Sequence, residues 1–360
     1  MLFLRQAEAS PVIDFGCDPQ PATCLFPTSA CPVALRHAGC SGREAECRRT
    51  SALPLLHSQP QPFLRASDNE LRTKFRALRA LEDVADLLEI QPRSLRWYLY
   101  VDKVRCQYKE RSLPKSHGGT RRICVPPIPL RILQDKLLRI LTLIYAAKPC
   151  VTGFVLGRSV ANNANPHVCK QHVLTIDLDN FFPSIHFGRV RGILQSPPYG
   201  VAPPAASVLA QLACHDDGHL PQGAPTSPIV ANMVCGPLDS AMLQMASNNR
   251  LTYTRYADDI TLSTNLRTFP SDIVRQDEHD TCEVGVVLRD LLAEHGFTIR
   301  EGKTRLRSRL RRQTVTGLVV NEVVNVRRSY VRQLRALIHS CSTVGLLPSG
   351  YCQELCIECA

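Results

Sequence analysis

The chain has 360 residues, is 44% hydrophobic and carries 43 Lys and Arg against 32 Asp and Glu. This length exceeds the ~250–300 residues at which a single core stops growing, so we expect two or three packed lobes. The hydrophobic content excludes wholesale disorder. The best apolar run, residues 140–147, is far shorter than the ~18 residues that a membrane-spanning helix needs. No signal-peptide core follows the N-terminus, so we expect a cytoplasmic protein with no membrane partner and mostly reduced cysteines.

The net charge of +11 is concentrated towards the C-terminus. Residues 300–335 hold eleven Lys or Arg and only two Glu, which leaves +9 of the +11 in that stretch. Such a run favours contact with a polyanion such as nucleic acid. A solvated charged surface is the alternative that composition leaves open.

The first half of the chain divides at about residue 65. Residues 1–65 are rich in Pro, Ala, Ser and Cys without sustained periodicity, which predicts a poorly ordered extension. Apolar residues then recur at helical spacing from Leu71 to Leu88, and the pattern predicts a helix that ends before Pro92. The other predicted elements of this half are a short helix at 95–100, a hairpin of strands 105–113 and 121–125 around Gly118-Gly119, and an amphipathic helix at 130–147.

The second half mixes short β runs with helices, which predicts an α+β fold. The predicted elements are a strand at 173–178, a helix from about 184, an irregular Pro-rich stretch at 196–204, a helix at 226–246, β runs at 251–256 and 260–264, a helix at 286–295, strands at 305–310 and 314–320, and a helix at 329–340.

Three carboxylates form the strongest candidate site. Asp258 and Asp259 lie side by side at the bend between two β runs, where they repel each other unless a cation is near. Asp177 ends a predicted strand in apolar company. Brought together, the three supply the oxygen ligands that Mg²⁺ prefers, and two such ions ~3.5–4 Å apart would support nucleotidyl transfer. An ordinary Asp-rich turn is the alternative reading for Asp258 and Asp259, and Asp179 is taken as a structural or supporting residue.

Several cations could complement these carboxylates. Lys115, Arg121 and Arg122 flank the Gly118-Gly119 turn, which suits a mobile basic hairpin that closes over phosphates. Lys303 follows a glycine and could donate a proton to a leaving pyrophosphate. Each of them alone is equally consistent with an ordinary surface cation.

The order of motifs resembles that of reverse transcriptases over about residues 71–340. The resemblance rests on six segments, namely Leu113-Pro114-Lys115, Gly118–Ile123 with Pro126, Asp177–Ile185, Leu220–Pro228, Tyr256–Asp259, and Gly296-Phe297 with Lys303-Thr304. It implies a right-hand polymerase fold of fingers, a palm with an antiparallel sheet and helices, and a short helical thumb. It also implies two Mg²⁺ ions held by Asp177, Asp258 and Asp259.

The same resemblance implies roles for individual side chains. Lys115 and Arg121 would grip the triphosphate, and Gln222 would line the nucleotide pocket. Phe182 falls where the family places the residue that blocks a ribose 2′-hydroxyl, although a core aromatic is its alternative reading. Lys303 matches the palm lysine.

Two further segments resemble bacterial retron reverse transcriptases. Asn163-Ala164-Asn165-Pro166-His167 is similar to the retron N-A-x-x-H segment, and Val315-Thr316-Gly317 is similar to the retron V-T-G segment. We therefore expect RNA contacts from Asn163, His167, Val315, Thr316 and Gly317, with phosphate contacts from Arg327 and Arg328 in the basic run.

The retron resemblance implies a cognate structured non-coding RNA as template and primer, dNTPs as substrates, a branched RNA–DNA product, an effector protein and a role in anti-phage defence. The rivals are a group II intron-like or other defence-associated reverse transcriptase and a non-catalytic RNA-binding subunit. A short chain after Ser340 argues against the first, and intact carboxylates argue against the last.

The expected lobes are N-terminal helices and fingers at 66–170, a palm at 171–320, and a thumb with a Cys-rich tail at 321–360. The tail could bind zinc through four thiolates, because two of them form a C-x-x-C pair. Those cysteines are Cys341, Cys352, Cys356 and Cys359.

Overall fold

The computed structural model describes residues 63–101, 108–114, 120–277 and 281–344. Within these ranges helices and short antiparallel strands alternate, which confirms the predicted α+β class. None of the described helices is long and apolar enough to cross a membrane. The extension at 1–62, Lys115 and the Gly118-Gly119 turn, and the cysteines beyond residue 344 lie outside the described residues.

Three short helices begin the described chain. Ser67 caps the first of them, where its hydroxyl and the Glu70 carboxylate each accept a backbone N–H of the other. The prediction of one long helix at 71–88 is wrong, because the helix is interrupted between residues 76 and 81. The helices are α1 (Asp68–Arg76), α2 (Leu81–Leu87) and α3 (Pro92–Tyr100).

A hairpin and a long helix follow. Both strands pair antiparallel, from Lys109 opposite Val125 to Pro114 opposite Thr120. The helix buries its apolar stripe in the main core, with Leu133, Leu137 and Ile140 almost fully enclosed. These elements are β1 (Lys109–Pro114), β2 (Thr120–Val125) and α4 (Ile128–Ile144).

The middle of the chain holds a central strand and a group of helices. The irregular stretch predicted at 196–204 is confirmed up to residue 202, and a helix begins at Pro203. The expectation of one helix at 226–246 is wrong, because that helix is broken at Cys235. Prolines start both new helices, because the first turn needs no proline N–H. The elements are α5 (Val160–Ala164), a 3₁₀ helix (Asn165–His167), β3 (His172–Asp179), α6 (Phe187–Gln195), α7 (Pro203–Ala213), α8 (Ser227–Val234) and α9 (Gly236–Asn248).

The last third contributes the other strands of the central sheet. The strand predicted at 314–320 is instead a hairpin, because Thr316 and Gly317 both have positive φ, 44° and 83°. The elements are β4 (Thr252–Tyr256), β5 (Asp259–Thr264), β6 (Val274–Gln276), β7 (Cys282–Val284), α10 (Val286–Glu294), β8 (Thr298–Ile299), a 3₁₀ helix (Glu301–Lys303), β9 (Arg305–Ser308), β10 (Thr314–Val315), β11 (Leu318–Val319) and α11 (Arg328–Val344).

The central sheet has the order β4-β5-β3-β8, and β9 pairs with β3 beside β8. One face is apolar and packs on the helices, with Leu174, Ile176 and Leu178 of β3 buried. Because side chains alternate along a strand, the other face carries Val173, Thr175 and Asp177. The candidate site therefore lies on the face of the sheet opposite the main core.

Candidate active site

The strand register brings the acidic residues together. Asp177 near the end of β3 lies directly opposite Asp259 at the start of β5. Asp258 belongs to the two-residue connection between β4 and β5, because Tyr256 pairs with Asp259 across the hairpin. We call residues 256–259 the carboxylate turn. The structure thus places Asp259 opposite Asp177 and Asp258 in the adjoining turn, so the three residues predicted from the sequence are neighbours.

A break in the neighbouring strand brings two cations to Asp177. β8 pairs with Leu178 and Asp179, whereas β9 pairs with β3 only up to Thr175. The 3₁₀ helix between them lies beside Asp177, and its Lys303 Nζ is 2.8 Å from Asp177 Oδ2. Lys303, predicted as a catalytic residue, is therefore in contact with one of the carboxylates.

Arg300 is a second cation at this point, which the motif pattern did not single out. Its Nη2 donates to Asp179 Oδ1 at 2.7 Å and its Nη1 to Asp177 Oδ2 at 3.3 Å. Its backbone N–H donates to the Asp177 carbonyl at 2.9 Å. Arg300 therefore ties the segment that carries Lys303 to the end of β3, with Asp179 as its main partner.

Backbone contacts fix the carboxylate turn. Ala257 adopts a positive φ of 55°, which is uncommon for a residue with a Cβ. Its carbonyl accepts from Arg255 Nη1 at 3.1 Å, and the Asp258 carbonyl accepts from the Leu178 N–H at 3.1 Å. Gly153 packs on the turn so closely that a Cβ there would lie 2.5 Å from Ala257 N. The turn is held from both sides.

A buried ion pair lies beneath the turn. Arg255 is the largest fully buried side chain among the described residues, and it forms a two-point contact with Asp239 of α9 at 2.7 and 2.8 Å. Its third nitrogen also reaches Asn232 of α8 at 3.1 Å. A buried guanidinium is tolerated only when its donors are satisfied, as they are here. The ion pair anchors β4 to two helices of the core.

Burial and mutual repulsion make the acidic groups of the turn reluctant to ionise. Burial, followed by the negative charge of Asp177, raises the pKa of Asp258. Burial, followed by the charges of Asp258 and Asp177, raises the pKa of Asp259 to about 7. Such crowding favours binding of a cation, which would relieve the repulsion.

The donor set fits a hard divalent cation, since carboxylate oxygens are its preferred ligands. In the described part of the chain, no three His, Cys, Asp or Glu side chains are grouped as a formed metal centre. Asp177 instead faces Lys303 and Arg300. The three carboxylates fit a divalent cation chemically. To bind one, Asp177 would have to exchange a cationic side chain for the metal ion.

Three of the four predicted nucleotide-binding residues lie in the described part of the chain, and Lys115 lies outside it. Arg121 is exposed on β2, and its charge acts on Asp258. The carbonyl of Gln222 accepts from the Cys124 N–H of β2 at 2.7 Å, which ties the Pro-Gln-Gly segment to the hairpin. Phe182 is half-buried, with its ring centroid 6.3 Å from that of Phe154. Phe154 in turn lies 6.4 Å from Tyr256 of the carboxylate turn.

Three of the predicted RNA-binding side chains are buried. Asn163, His167 and Val315 are all fully enclosed. The His167 ring nitrogens lie 2.7 Å from Ser263 Oγ and 2.8 Å from Thr254 Oγ1. The expectation that these three side chains contact RNA directly is wrong for this structure, because protein atoms occupy every side of them.

The remaining predicted RNA-binding residues are accessible. Thr316 is half-buried, and Gly317, Arg327 and Arg328 are exposed. Arg327 also lines a cavity of about 180 Å³ on the sheet face that carries Asp177. We call this the arginine cavity; its lining is Val173, Thr175, Arg305, Arg307, Arg312, Thr314 and Arg327.

Sequence comparison places the chain among known proteins. The retron Mx65 reverse transcriptase of Myxococcus xanthus is 36% identical over 280 residues, covering 72% of this chain and 62% of that protein. The retron Ec86 reverse transcriptase of Escherichia coli is 32% identical over 260 residues, covering 72% of this chain and 77% of that protein. This chain belongs to the retron reverse transcriptases. The predicted family and subtype are thereby confirmed.

Other comparisons add less. The retron Mx162 reverse transcriptase of Myxococcus xanthus is 32% identical, and this chain spans 66% of its length. The chain therefore covers under two thirds of both Myxococcus relatives. No protein-family model matches. A telomerase structure from Candida albicans aligns with a TM-score of 0.42 at 12% identity, over 60% of this chain and 45% of that one.

In this retron reverse transcriptase, sequence reasoning missed the residues that support the site. Arg255 of β4 and Asp239 of α9 form an ion pair. The only sequence signal for this pair is that each is a charged residue within an apolar run. Gly153 and Phe154 carried no motif at all. Arg300 was counted in the basic run, but its acidic partners were not foreseen.

Proposed function

We propose that this retron reverse transcriptase is an RNA-directed DNA polymerase that copies a cognate structured non-coding RNA into single-stranded DNA. The observation that carries the proposal is the convergence of Asp177, Asp258 and Asp259 at adjoining strand ends, with Lys303 in contact with Asp177. A docking protein has no need of such a costly acidic cluster. Family membership supports the RNA template and the branched RNA–DNA product.

Asp177, Asp258 and Asp259 would hold two Mg²⁺ ions. When bound, such ions lower the pKa of an attacking hydroxyl and stabilise the charge that develops on the leaving oxygen. The protein's part is to hold the carboxylates in place, which the contacts of the carboxylate turn achieve. Lys303, once released from Asp177, would be within reach of a leaving pyrophosphate and could donate its proton there.

The dNTP would lie between the β1–β2 hairpin and the carboxylate turn. Arg121, together with Lys115, would contact the triphosphate. Gln222 would line the base and sugar pocket, since its backbone is fixed to β2. Phe182 would exclude a ribose 2′-hydroxyl by steric contact, because its ring packs near those of Phe154 and Phe181.

The arginine cavity would hold phosphates of the bound nucleic acid. Arg305 and Arg307 project from β9 on the face of Asp177, opposite Thr175 and Val173. Thr175 lies two residues from Asp177, or ~7 Å along an extended strand, which is about one nucleotide of backbone. Among the described residues, no acidic side chain lines the cavity. Phosphate binding there would weaken steeply with salt.

We extend the proposal to anti-phage defence with an effector protein as partner. The support for this extension is family membership alone. It predicts that cells carrying the locus plate phage less efficiently than cells carrying an Asp258→Asn version.

Expression of the gene with its flanking sequence, followed by nucleic-acid extraction with and without RNase, tests the proposal. We expect a short, discrete single-stranded DNA whose mobility changes on RNase treatment and which disappears in Asp258→Asn. Asp290→Asn is the matched control, because Asp290 is an exposed aspartate on α10 that has no predicted role in the site.

The outcomes separate the rival functions. The wild type could yield no such DNA in cells and yet be active on a supplied RNA template with an annealed primer. That result would support the polymerase activity and exclude the retron-type substrate. RNA binding with no synthesis on any template would favour the non-catalytic RNA-binding subunit instead.

A further inference from the structure

The β10–β11 hairpin packs on the segment that carries Asn163. Ala164 of α5, Val173 of β3, Val315 and Val320 form a small apolar cluster separate from the main core. At its edge, Asn163 Nδ2 donates to Thr316 Oγ1 at 3.3 Å. The turn of the hairpin, whose Gly317 is exposed, is therefore joined by a side-chain hydrogen bond to a fully buried asparagine.

Asn163 is also hydrogen-bonded to the segment that precedes α5. Its Oδ1 accepts from Thr152 Oγ1 at 2.8 Å. The Thr152 hydroxyl also lies 3.2 Å from the Arg255 carbonyl, and the Thr152 N–H donates to that carbonyl at 2.9 Å. Arg255 N–H in turn donates to the Cys150 carbonyl at 2.8 Å. Residues 150–152 and Arg255 thus form a short parallel bridge with bonds in both directions.

Arg255 completes the path to the carboxylate turn. Its side chain donates to the Ala257 carbonyl, and Gly153, which follows Thr152 directly, packs on Ala257 N. Asn232 holds the Gly153 carbonyl at 2.9 Å and contacts Arg255 as well. From the Thr316 hydroxyl to the Ala257 carbonyl, the connection runs through hydrogen bonds whose intermediate side chains are all buried.

We propose that Thr316, Asn163 and Thr152 are positioning residues. Their hydrogen bonds couple the position of the β10–β11 hairpin to the position of the carboxylate turn. This inference rests on the proposed polymerase function. It assigns the buried polar groups of these segments to placing the carboxylate turn rather than to contact with RNA. Nucleic acid seated against the exposed Gly317 end would hold the hairpin, and the hydrogen bonds would hold the turn.

Packing alone does not explain this choice of residues. Buried polar side chains are costly unless every group is bonded, and an apolar side chain of equal shape would fill the same space without that cost. The side-chain oxygen and nitrogen of Asn163 both have partners, Thr152 and Thr316 respectively. A small displacement of a catalytic group can cost ~100-fold in rate, so precise placement is a sufficient reason for such a connection.

The test compares hydroxyl removal with hydroxyl retention at both ends. The full chain is assayed by primer extension on a supplied RNA template with an annealed DNA primer, as wild type and as Thr316→Val, Thr152→Val, Thr316→Ser and Thr152→Ser. Thr142→Val is the control, because Thr142 is exposed on α4 and bonds only within its helix. Melting temperature and template–primer affinity are measured for each variant.

The proposal predicts that each valine variant lowers kcat by about tenfold, with the KM for dNTP and the affinity for template–primer within about twofold of wild type. Each serine variant should restore kcat. The double variant Thr316→Val with Thr152→Val should be no slower than the slower single variant, because both act on one path.

Other results would overturn it. A weaker template–primer affinity with unchanged kcat would make Thr316 a nucleic-acid contact. Additive losses in the double variant would show two independent effects, and a fall in melting temperature without a change in kcat would leave only a structural role. An inactive wild type would remove the polymerase proposal and this inference with it, which is visible before any variant is compared.

Discussion

The two hairpins that contribute to the site differ in how they are held. All six residues of β1 are exposed, and half of β2 is as well. In the β4–β5 hairpin most residues are buried, and the turn is bonded to Arg255 and Leu178. The first hairpin is bonded to the Pro-Gln-Gly segment from Cys124 N–H to the Gln222 carbonyl and to Asp217 through an exposed ion pair of Arg122. A second ion pair of Arg122, with Glu110, lies within the hairpin.

The difference assigns different tasks to the two hairpins. Groups that stabilise developing charge are most effective when they are fixed before the reaction, as the carboxylates are. An exposed strand with few buried contacts opens and closes at low free-energy cost, which suits cations that must admit a nucleotide and then cover it. Substitutions beneath the carboxylates should therefore affect stability, whereas substitutions on β2 should affect substrate binding.

Arg255→Met should produce the largest change in stability. It leaves Asp239 buried and unpaired, which costs ~3–5 kcal/mol of the free energy of unfolding. Urea unfolding followed by circular dichroism measures this value. The double variant Arg255→Met with Asp239→Leu should recover much of the loss, because no uncompensated charge remains. Equal stability of the single and double variants would contradict the account of the pair.

Acid should destabilise the β4–β5 hairpin through His167. Burial, followed by the positive charge of Lys170, lowers the pKa of His167 to about 3. The unfolded chain, with a histidine pKa of ~6.5, then binds more protons between these values. The contribution of His167 to stability is therefore complete above about pH 6.5 and is lost as the pH falls towards 3, by ~2 kcal/mol between pH 7 and pH 5.

His167→Gln isolates this contribution. Other groups, including Asp259 with its raised pKa and opposite pH dependence, titrate in both proteins. The free energy of unfolding of wild type should therefore fall more than that of the variant between pH 7 and pH 5. Parallel pH profiles would show that the imidazole is already protonated inside the fold.

Arg121→Ala should act on the exposed hairpin without loss of stability. Removal of a charged hydrogen-bond donor to the triphosphate should raise the KM for dNTP by about tenfold. The melting temperature should not move, since Arg121 is exposed. Arg131→Ala, an exposed arginine on α4, is the control. A changed melting temperature with unchanged KM would reverse the roles of the two hairpins.

Arg312→Ala should have the smallest effect, on the arginine cavity. Loss of one phosphate contact should reduce the slope of log affinity against log salt by about 0.7 for single-stranded nucleic acid. The affinity itself should fall a few-fold at low salt and less at high salt, as measured by fluorescence anisotropy. An unchanged slope would exclude Arg312 from phosphate contact.

The sequence predicted the central strands well, because their apolar and polar residues alternate. β3, β4 and β5 lie within one or two residues of their predicted bounds. The helices α10 and α11 were also expected, from their apolar spacing. These are elements whose local pattern and final burial agree.

The misses have local physical causes. Pro203, predicted to lie in irregular chain, instead begins α7. Pro237, predicted to lie inside one long helix, is in the first turn of α9; a missing N–H costs nothing at either position. Thr316 and Gly317 form a tight turn inside what reads as one β run, since both adopt positive φ. The strands β6 and β7 have three residues each, too short for a periodic signal.

Some features of the candidate site could be predicted from the sequence and others could not. Asp177, Asp258 and Asp259 could be predicted because each ends or joins a recognisable strand. The burial of Asn163 and His167 could not, because it depends on α5 packing between β4 and the β10–β11 hairpin. The cations that reach Asp177 depend on the break between β8 and β9, which no local pattern reveals.

Primer extension by the purified protein on an RNA template is the most direct test of the carboxylate site. The account predicts DNA synthesis by wild type and by Asp290→Asn. It also predicts a loss of at least about a thousandfold in Asp258→Asn, since metal-bound carboxylates supply several kcal/mol of transition-state stabilisation. RNA binding by Asp258→Asn should be nearly intact. Retained synthesis in the double variant Asp258→Asn with Asp259→Asn would contradict the assignment.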